Sequence, residues 1–485
     1  MKIYKFDGRY GTLACALIPM LIGVGCRAPE VSDVSAGLDG LSIPTNYISS
    51  PRDGSSGLEG AGLDGFPVEA MRPHINELLE KNYELAAAVT RVEAGLASAG
   101  IARSELFPNI NASLGGSKTR QNFIGLPIPG QSGPLTTRFT SYNLSFNTQW
   151  EIDLWGRIRN ARDAAELDAQ SFARDREWIE RSLTGAYLQS WTSATAAREL
   201  SQLADQIAVN REAIVSVLED RFSTGLVSAD RLRSARNAFE TAKTSSIQAM
   251  NDYRDALRQV EKLLGRYPGG TIEIPERSAS LPDALQPGIP SDILELRPDI
   301  EASRLRLEAS ARRVRESFAG LFPRISLTGS TGTSSDQLSD LTDLDFSVWS
   351  LGGNIARPVI DFGRLRALLD LSEVREREAF QNYLNTVQNA FLEVENALDA
   401  EGTLRESIRL VEDSIRRSRA QYDSSLERFH LGVGDRQSVL EAEYLVLLES
   451  QRLLNFETQF LINRVDLIKS LGQGPFISEI TPGNP

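Results

Sequence analysis

The chain has 485 residues, 41% hydrophobic and 24% charged, which is ample for a large folded body and argues against disorder of the whole. Its net charge of −13 leaves no surplus of clustered Lys and Arg to neutralise phosphates, so nucleic acid is not an expected partner. The two cysteines, Cys15 and Cys26, stand near the N-terminus and the two histidines are His74 and His430, so no disulfide framework and no metal site are expected. No Gly-x-Ser-x-Gly elbow, phosphate-cradling Gly-Lys-Ser/Thr loop or His-Glu-x-x-His pair occurs, which disfavours an enzyme and leaves no catalytic residue to nominate.

From the N-terminus, Lys2, Lys5 and Arg9 precede an apolar or small stretch, Gly11 to Gly25, that is too short to span a bilayer and reads as an export signal over 1–25. It ends at Cys26 after Leu21-Ile22-Gly23-Val24-Gly25, which resembles a bacterial lipobox with Gly23 where leucine is expected; a covalent lipid on Cys26 is the expected modification, with no other cofactor. Residues 26–72 read as a linker or equatorial segment, with Gly-Leu-Asp-Gly at 37–40, Gly-Leu-Glu-Gly at 57–60 and Gly-Leu-Asp-Gly at 62–65. No later segment approaches the roughly 18 consecutive apolar residues of a membrane helix, so a chain that crosses a membrane has to do so with strands.

The body is repeated. Leu106-Phe107-Pro108 returns as Leu321-Phe322-Pro323, Gly156-Arg157-Ile158-Arg159 as Gly363-Arg364-Leu365-Arg366, and Arg221-Phe222-x-x-Gly225 as Arg428-Phe429-x-x-Gly432. The last two pairs share an offset of 207, as do Leu264-Gly265 and Leu471-Gly472. Two homologous halves follow, 73–265 and 296–472, joined by an inter-repeat linker at 266–295 and trailed by a tail at 473–485.

Each half opens on a strand pair, at about 108–150 and about 323–357. Ile110, Ala112 and Leu114 alternate with Asn and Ser, and Tyr142, Leu144, Phe146, Thr148 and Trp150 alternate with Ser, Asn and Gln, a period of two with one polar and one apolar face. Ile325, Leu327 and Gly329 repeat this, while Gly352-Gly353 interrupts the fourth strand. An uncharged polar face opposite an aromatic one suits lipid outside and a water-filled lumen inside. Four strands cannot close a barrel, and an open edge in hydrocarbon costs several kcal/mol per unpaired group. A spanning chain must therefore oligomerise, and two, three or more copies fit the strand count.

The remainder is helical. From about 157 to 222 and from about 364 to 430 there is no proline, and a 64-residue helix is about 95 Å long. Phe380, Val387 and Val394 interleave with Leu384, Phe391 and Leu398, and Leu440, Leu447, Leu454, Leu461 and Ile468 recur every seven residues, the a/d seam of a coiled coil. Breaks at Gly225 and Gly432, followed by new helices from about Asp230 and Arg436, fold each half into a helical hairpin. The expected fold is mainly α with a small β part, strands at one end and hairpin tips at the other. An acidic loop at Asp336 to Asp345 contrasts with an uncharged one around Phe123 to Pro134 and is read as a solubility feature.

From about residue 75 to 472 the chain resembles the TolC-like outer-membrane efflux factor family, in its two Leu-Phe-Pro strand starts, Asp153-Leu154-Trp155-Gly156-Arg157 with Asp361-Phe362-Gly363-Arg364, and the paired Arg-Phe-x-x-Gly turns. The stretch Pro290-Ser291-Asp292-Ile293-Leu294-Glu295-Leu296-Arg297-Pro298-Asp299-Ile300 resembles the signature of the lipoprotein branch (NodT-type) serving resistance-nodulation-division (RND) pumps. The resemblance implies a homotrimer with a twelve-stranded outer-membrane β-barrel, four strands per protomer, continued through the periplasm by a helical coiled-coil barrel. It implies a lipid-anchored, passive exit duct for drugs, metals or other small solutes. Its partners would be outer-membrane lipid, an inner-membrane RND pump, and a periplasmic adaptor that meets tips carrying Arg221, Phe222, Gly225, Arg428, Phe429 and Gly432. The family's acidic aperture positions fall on Ser438 and Glu441; three copies of Glu441 would form a ring favouring cations. Asp435 either adds to the ring or starts a helix. Opposite charges at matching places in the two halves suggest that Arg231 or Arg233 pairs with Glu441 or Asp435 in the closed state. The alternatives are the same duct serving type I protein secretion and a periplasmic coiled-coil scaffold, which leaves the strands and the export signal without purpose.

Overall fold

The computed structural model describes residues 31–41, 43–44, 46–49, 66–123, 135–274, 281–282 and 290–473. The export signal, Cys26, the Gly-Leu runs at 57–65 and most of the uncharged loop lie outside the described residues. The described residues divide into two compact units: Glu105–Ala161 with Ser310–Arg377, and Asp33–Ser104 with Arg162–Ala309 and the described residues from Glu378 onward.

The first unit is built on one antiparallel sheet of β1 (Asn109–Phe123), β2 (Leu135–Ile152), β3 (Arg324–Ser335) and β4 (Ser347–Ala356), in that order. Both hairpins hold the same register: Asn109 faces Gln149 as Arg324 faces Ala356. The period of two places Leu114 opposite Leu144, Trp150 opposite Leu327 and Ile325 opposite Ile355. On the polar face Ser113 and Ser145, and Ser330 and Ser350, hydrogen-bond across the strands, each at 2.8 Å. The irregular fourth strand has a local reason, because Gly353 and Gly352 sit opposite Leu327 and Thr328, whose side chains lie over them. At the β2–β3 seam the strands approach so closely that a Cβ on Gly332 would lie 2.0 Å from the Leu144 carbonyl oxygen and 2.7 Å from Ser145 Cα.

The acidic loop is a folded turn. Asp340 accepts from Ser335 Oγ and Ser339 Oγ, each at 2.9 Å, and Asp343 accepts from the Asp345 N–H at 3.0 Å. Asp343 caps a short 3-10 turn and Asp340 ties two serine hydroxyls, a role beyond the solubility expected of them. Where strand gives way to helix, Asp153 accepts from the N–H groups of Ile158 and Arg159 at 3.1 and 2.8 Å, and Asp361 from that of Leu365 at 3.0 Å. Trp155 donates its indole N–H to the Pro323 carbonyl at 2.8 Å and stacks on Phe322, with ring centroids 4.9 Å apart.

The second unit is helical: α1 (Val34–Gly40), α2 (Val68–Lys81), α3 (Tyr83–Ser104), α4 (Arg157–Ser223), α5 (Ala229–Leu263), α6 (Ile293–Leu296), α7 (Pro298–Ala319), α8 (Arg364–His430) and α9 (Arg436–Ser470), of which the start of α4, the end of α7 and the start of α8 belong to the first unit. The long helices α4 and α8 have 67 residues each, about 100 Å of rise. The heptad stripes are core: Val387, Val394 and Leu398 are buried with Phe380, Leu384 and Phe391 packed on them, and Leu461 and Ile468 join Tyr187, Leu188 and Trp191. Each such large side chain contributes about 1.5–3 kcal/mol on leaving water.

One expectation is corrected here. The first Gly-Leu-Asp-Gly run belongs to a docked helix and not to a free linker. Asp33 caps α1 by accepting from the Ser35 N–H at 3.0 Å, Val34 and Leu38 pack on the heptad core, and Gly37 lies so near Phe380 that a Cβ would come within 2.4 Å of its ring. The glycine serves close approach, which composition alone cannot separate from flexibility. Although charged residues interrupt it and the count of consecutive apolar residues stands, α3 would suffice by length and composition to cross a membrane. Its apolarity comes from a run of Ala and Gly, and Gly95 packs against Ala169 and Phe172 of α4; a count of consecutive apolar residues stops at Arg91, Glu93 and Arg103.

The inter-repeat motif proves to be a staple. Arg297 is 2% exposed. Its guanidinium donates to Asp299 at 3.0 and 2.8 Å, to Glu393 at 2.7 Å and to the Ser470 carbonyl at 3.1 Å, and lies 4.7 Å from the centre of the Trp178 ring. Ile293 and Ile300 on either side are buried. A second buried pair, Arg464 and Glu401 at 2.6 and 3.1 Å, ties α9 to α8.

Candidate functional site

The two helical hairpins turn on glycines that the backbone requires: Gly225 and Gly432 both have φ of +74°, a left-handed conformation that other residues adopt only with strain. The next helix in each half is capped from the same place. Ser228 accepts from the Arg231 N–H at 3.3 Å, and Asp435, 207 residues later, accepts from the Ser438 N–H at 2.8 Å. The Ser438 N–H, followed by the Arg221 charge, holds the Asp435 carboxyl below the ordinary aspartate range.

Around Asp435 the structure assembles a polar chain. Arg221, from the last turn of α4, reaches Asp435 at 3.5 Å and donates to Gln437 Oε1 at 3.1 Å; Gln437 donates in turn to Glu441 Oε1 at 2.7 Å. Asp435, Ser438 and Glu441 are exposed, Arg221 is half-buried and Gln437 is buried. The arrangement fixes one carboxylate at the cap of α9 and another in its second turn, and neutralises the first from the other hairpin. Beneath it Ile214, Val215, Leu218 and Leu232 form a small core. Asn210 donates to the Leu440 carbonyl at 3.0 Å and to Glu443 at 2.9 Å, and Arg211 lies over the Tyr444 ring.

The expected pairing of Arg231 or Arg233 with Glu441 or Asp435 is not what the chain makes. Arg233 pairs with Asp230 on its own helix, and the Asp435 partner is Arg221. Arg231 and Arg233 stand in the exposed first turns of α5, whereas Arg221 ends a long helix packed beside α9. Arg221 was nominated only as a tip residue and Gln437 not at all. Gln437 stands three places before Leu440, on the seam side of that stripe, where an unexpected polar residue was the available signal. Phe222, Gly225, Arg428, Phe429 and Gly432 are exposed at the turns, with Leu226, Leu431 and Val433 adding exposed apolar surface. Among the described residues no cluster is placed to hold a metal ion.

The profile of the outer membrane efflux protein family matches residues 74–266 and 289–473, one stretch in each half. The chain belongs to the outer membrane efflux protein family. As a member, it is similar to outer membrane protein OprJ of Pseudomonas aeruginosa, 30% identical over 426 residues that cover 86% of this chain and 88% of OprJ. It is similar to the cation efflux system protein CusC of Escherichia coli, 26% identical over 477 residues covering 95% of this chain and 99% of CusC. The solved Campylobacter jejuni CmeC outer membrane channel has the same fold, with a TM-score of 0.78 at 24% identity and coverage of 93% and 94%. This outer membrane efflux protein is thus the outer-membrane component of an efflux system and extends into the periplasm.

Proposed function

We propose that three copies of this outer membrane efflux protein close a twelve-stranded barrel, continued by their helices as a tunnel. In this reading the duct takes small solutes from an inner-membrane RND pump, an adaptor docks on the Phe222 and Phe429 turns, and the chain performs no chemistry of its own. The observation that carries it is the sheet: four strands with both outer edges unpaired and apolar side chains such as Trp349, Leu351 and Ile355 exposed on one face. Such a sheet is stable in hydrocarbon only when copies complete one another. The cation named for CusC is one candidate cargo, and in this reading the pump sets the choice.

The chain from Asp435 to Glu441 is proposed to hold the narrow end. A single exposed ion pair contributes about 0–1 kcal/mol, and threefold symmetry multiplies it. In planar bilayers the wild type is expected to give small, cation-selective openings, and Asp435→Asn with Glu441→Gln to give larger openings of weaker selectivity. Unchanged conductance and selectivity would move the constriction elsewhere. Cys26 is proposed to carry the lipid that anchors the mature chain. Mass spectrometry of the membrane-extracted protein is expected to find the chain beginning at an acylated Cys26; a free thiol there would remove the anchor.

A further inference from the structure

The first hairpin carries a charge pattern that a passive duct does not need. Of the charged residues in β1 and β2, Lys118, Arg120 and Arg138 stand toward the loop and Glu151 alone toward the helices. The register sets Arg120 directly opposite Arg138 and Lys118 opposite Thr140, so all three bases share the face of Leu114, Leu144 and Tyr142. That is the apolar face. The opposite face, from Asn109 to Gln121 and from Thr137 to Gln149, is uncharged.

Like charges held opposite one another destabilise a strand pair unless something of the other sign lies between them. Among the described residues no carboxylate is hydrogen-bonded or ion-paired to Lys118, Arg120 or Arg138, and residues 124–134, which join the two strands, contain no Asp or Glu. The acidic turn of the second hairpin uses Asp340 and Asp343 on its own hydroxyl and N–H groups. The feature is also not part of the repeat. With Asn109 and Arg324 as matching first residues of β1 and β3, Lys118 and Arg120 correspond to Thr333 and Ser335.

Depth along the strand identifies the missing anion. β2 runs into helix beyond Ile152, and the chain extends into the periplasm, so the loop end of the hairpin faces the outer leaflet. From Ile152, opposite Ile325, to Tyr142, opposite Ser335, the strand rises about 33 Å, which is about 25 Å of membrane at a tilt of about 40°. That is the height of the apolar band in barrels of this kind, and Trp150 and Tyr142 stand near its two borders as aromatic girdles do. Lys118 then lies about 5 Å and the Arg120–Arg138 pair about 10 Å beyond the outer border. This is the head-group layer, which long basic side chains reach.

We infer that Arg120 and Arg138, with Lys118 beside them, bind a phosphate of a lipid head group in the outer leaflet. Two guanidinium forks present paired N–H donors to phosphate oxygens, and the anion between them converts a repulsion into a bridge across the hairpin. The inference rests on the barrel proposed above, because only a spanning sheet with this face toward lipid brings the three bases to the head groups.

The test uses the full-length protein in phosphatidylcholine vesicles, alone, with lipid A, which is a bis-phosphorylated glycolipid, or with its dephosphorylated form. The readouts are the temperature at which the oligomer dissociates and the lipid retained in native mass spectra. Lipid A is expected to raise the dissociation temperature of the wild type, and the dephosphorylated form to raise it less. Arg120→Gln with Arg138→Gln is expected to retain lipid A about a hundredfold more weakly, about tenfold for each guanidinium, and to lose the thermal gain. In phosphatidylcholine alone the same variant is expected to dissociate at a higher temperature than the wild type, because the opposed charges are gone; a merely structural role for the two arginines gives the reverse sign. Arg324→Gln, at an exposed arginine at the helix end of β3, is the control and is expected to behave as the wild type. An equal gain from lipid A in the wild type and the double variant overturns the site and leaves the duct standing. An equal gain from inorganic phosphate in place of lipid A overturns the lipid as the source of the anion. Protein that stays monomeric in mild detergent overturns the duct, and with it the placement of the bases.

Discussion

Arg297→Met is expected to destabilise the helical unit by about 3 kcal/mol, at the lower end of the range for breaking a buried ion pair. Methionine keeps much of the volume of arginine, so the loss reports on charge and hydrogen bonding more than on a cavity. The guanidinium serves Asp299, Glu393 and the Ser470 carbonyl together and faces Trp178. Without it the Ser470 carbonyl has no donor from this side. The Glu393 side chain is 49% exposed and recovers water, while that of Asp299 is only 20% exposed and recovers less, which is why the lower end of the range applies. Arg297→Lys is expected to regain less than half, because a single ammonium cannot serve a bidentate carboxylate, a second carboxylate and a ring face at once. Asp299→Asn with Glu393→Gln added to Arg297→Met is expected to restore part of the loss, since it removes the stranded charges. Denaturant unfolding of the detergent-solubilised protein followed by circular dichroism measures all three. A change below about 0.5 kcal/mol for Arg297→Met, the range of ordinary surface substitutions, would mean that the motif is not a staple.

Gly332→Ala is expected to prevent formation of the native sheet. The added methyl would meet the Leu144 carbonyl oxygen at 2.0 Å and Ser145 Cα at 2.7 Å, and both are backbone atoms of the paired strand, with no rotamer to yield. Relief requires β2 and β3 to separate, which breaks ladder hydrogen bonds that have no substitute in hydrocarbon. The cost exceeds about 3 kcal/mol, since each unpaired group costs several. Gly329→Ala on the same strand is the control, because its Cβ would find Leu351 Cδ1 and the Ser350 carbonyl at an ordinary 3.8 Å. Heat-modifiable migration in detergent gels is expected to survive Gly329→Ala and to be lost in Gly332→Ala; retention in both would show that the strands part without penalty.

The sequence made the elements legible because each rests on a period. Alternation of Tyr142, Leu144 and Phe146 with polar neighbours marks β2, and the seven-residue spacing of Val387 and Val394 marks a seam that burial follows. The paired Gly225 and Gly432 mark turns, since only glycine takes that backbone without strain. What escaped has no local period. Arg297 in a Leu-Arg-Pro setting resembles a surface turn, and two of its acceptors lie 96 and 173 residues further on. The candidate site was half visible for the same reason. The family resemblance, counted from Gly432, points to Ser438 and Glu441, with Asp435 nearby, but the bridge from Arg221 through Gln437 spans 216 residues, and no spacing rule reaches across two hairpins. Gly37 and Gly332 are ambiguous in sequence because flexibility and close approach call for the same residue.

The two caps, Ser228 and Asp435, make the chain its own comparative experiment. They occupy one position of a duplicated structure and hold their helices by the same bond, yet one is neutral and the other ionised. Either a neutral or an ionised side chain can therefore start the helix at that place, the ionised one accepting the shorter bond, 2.8 Å against 3.3 Å. An electrostatic function can be written into one hairpin, erased or transferred to the other, while the backbone beneath it stays the same.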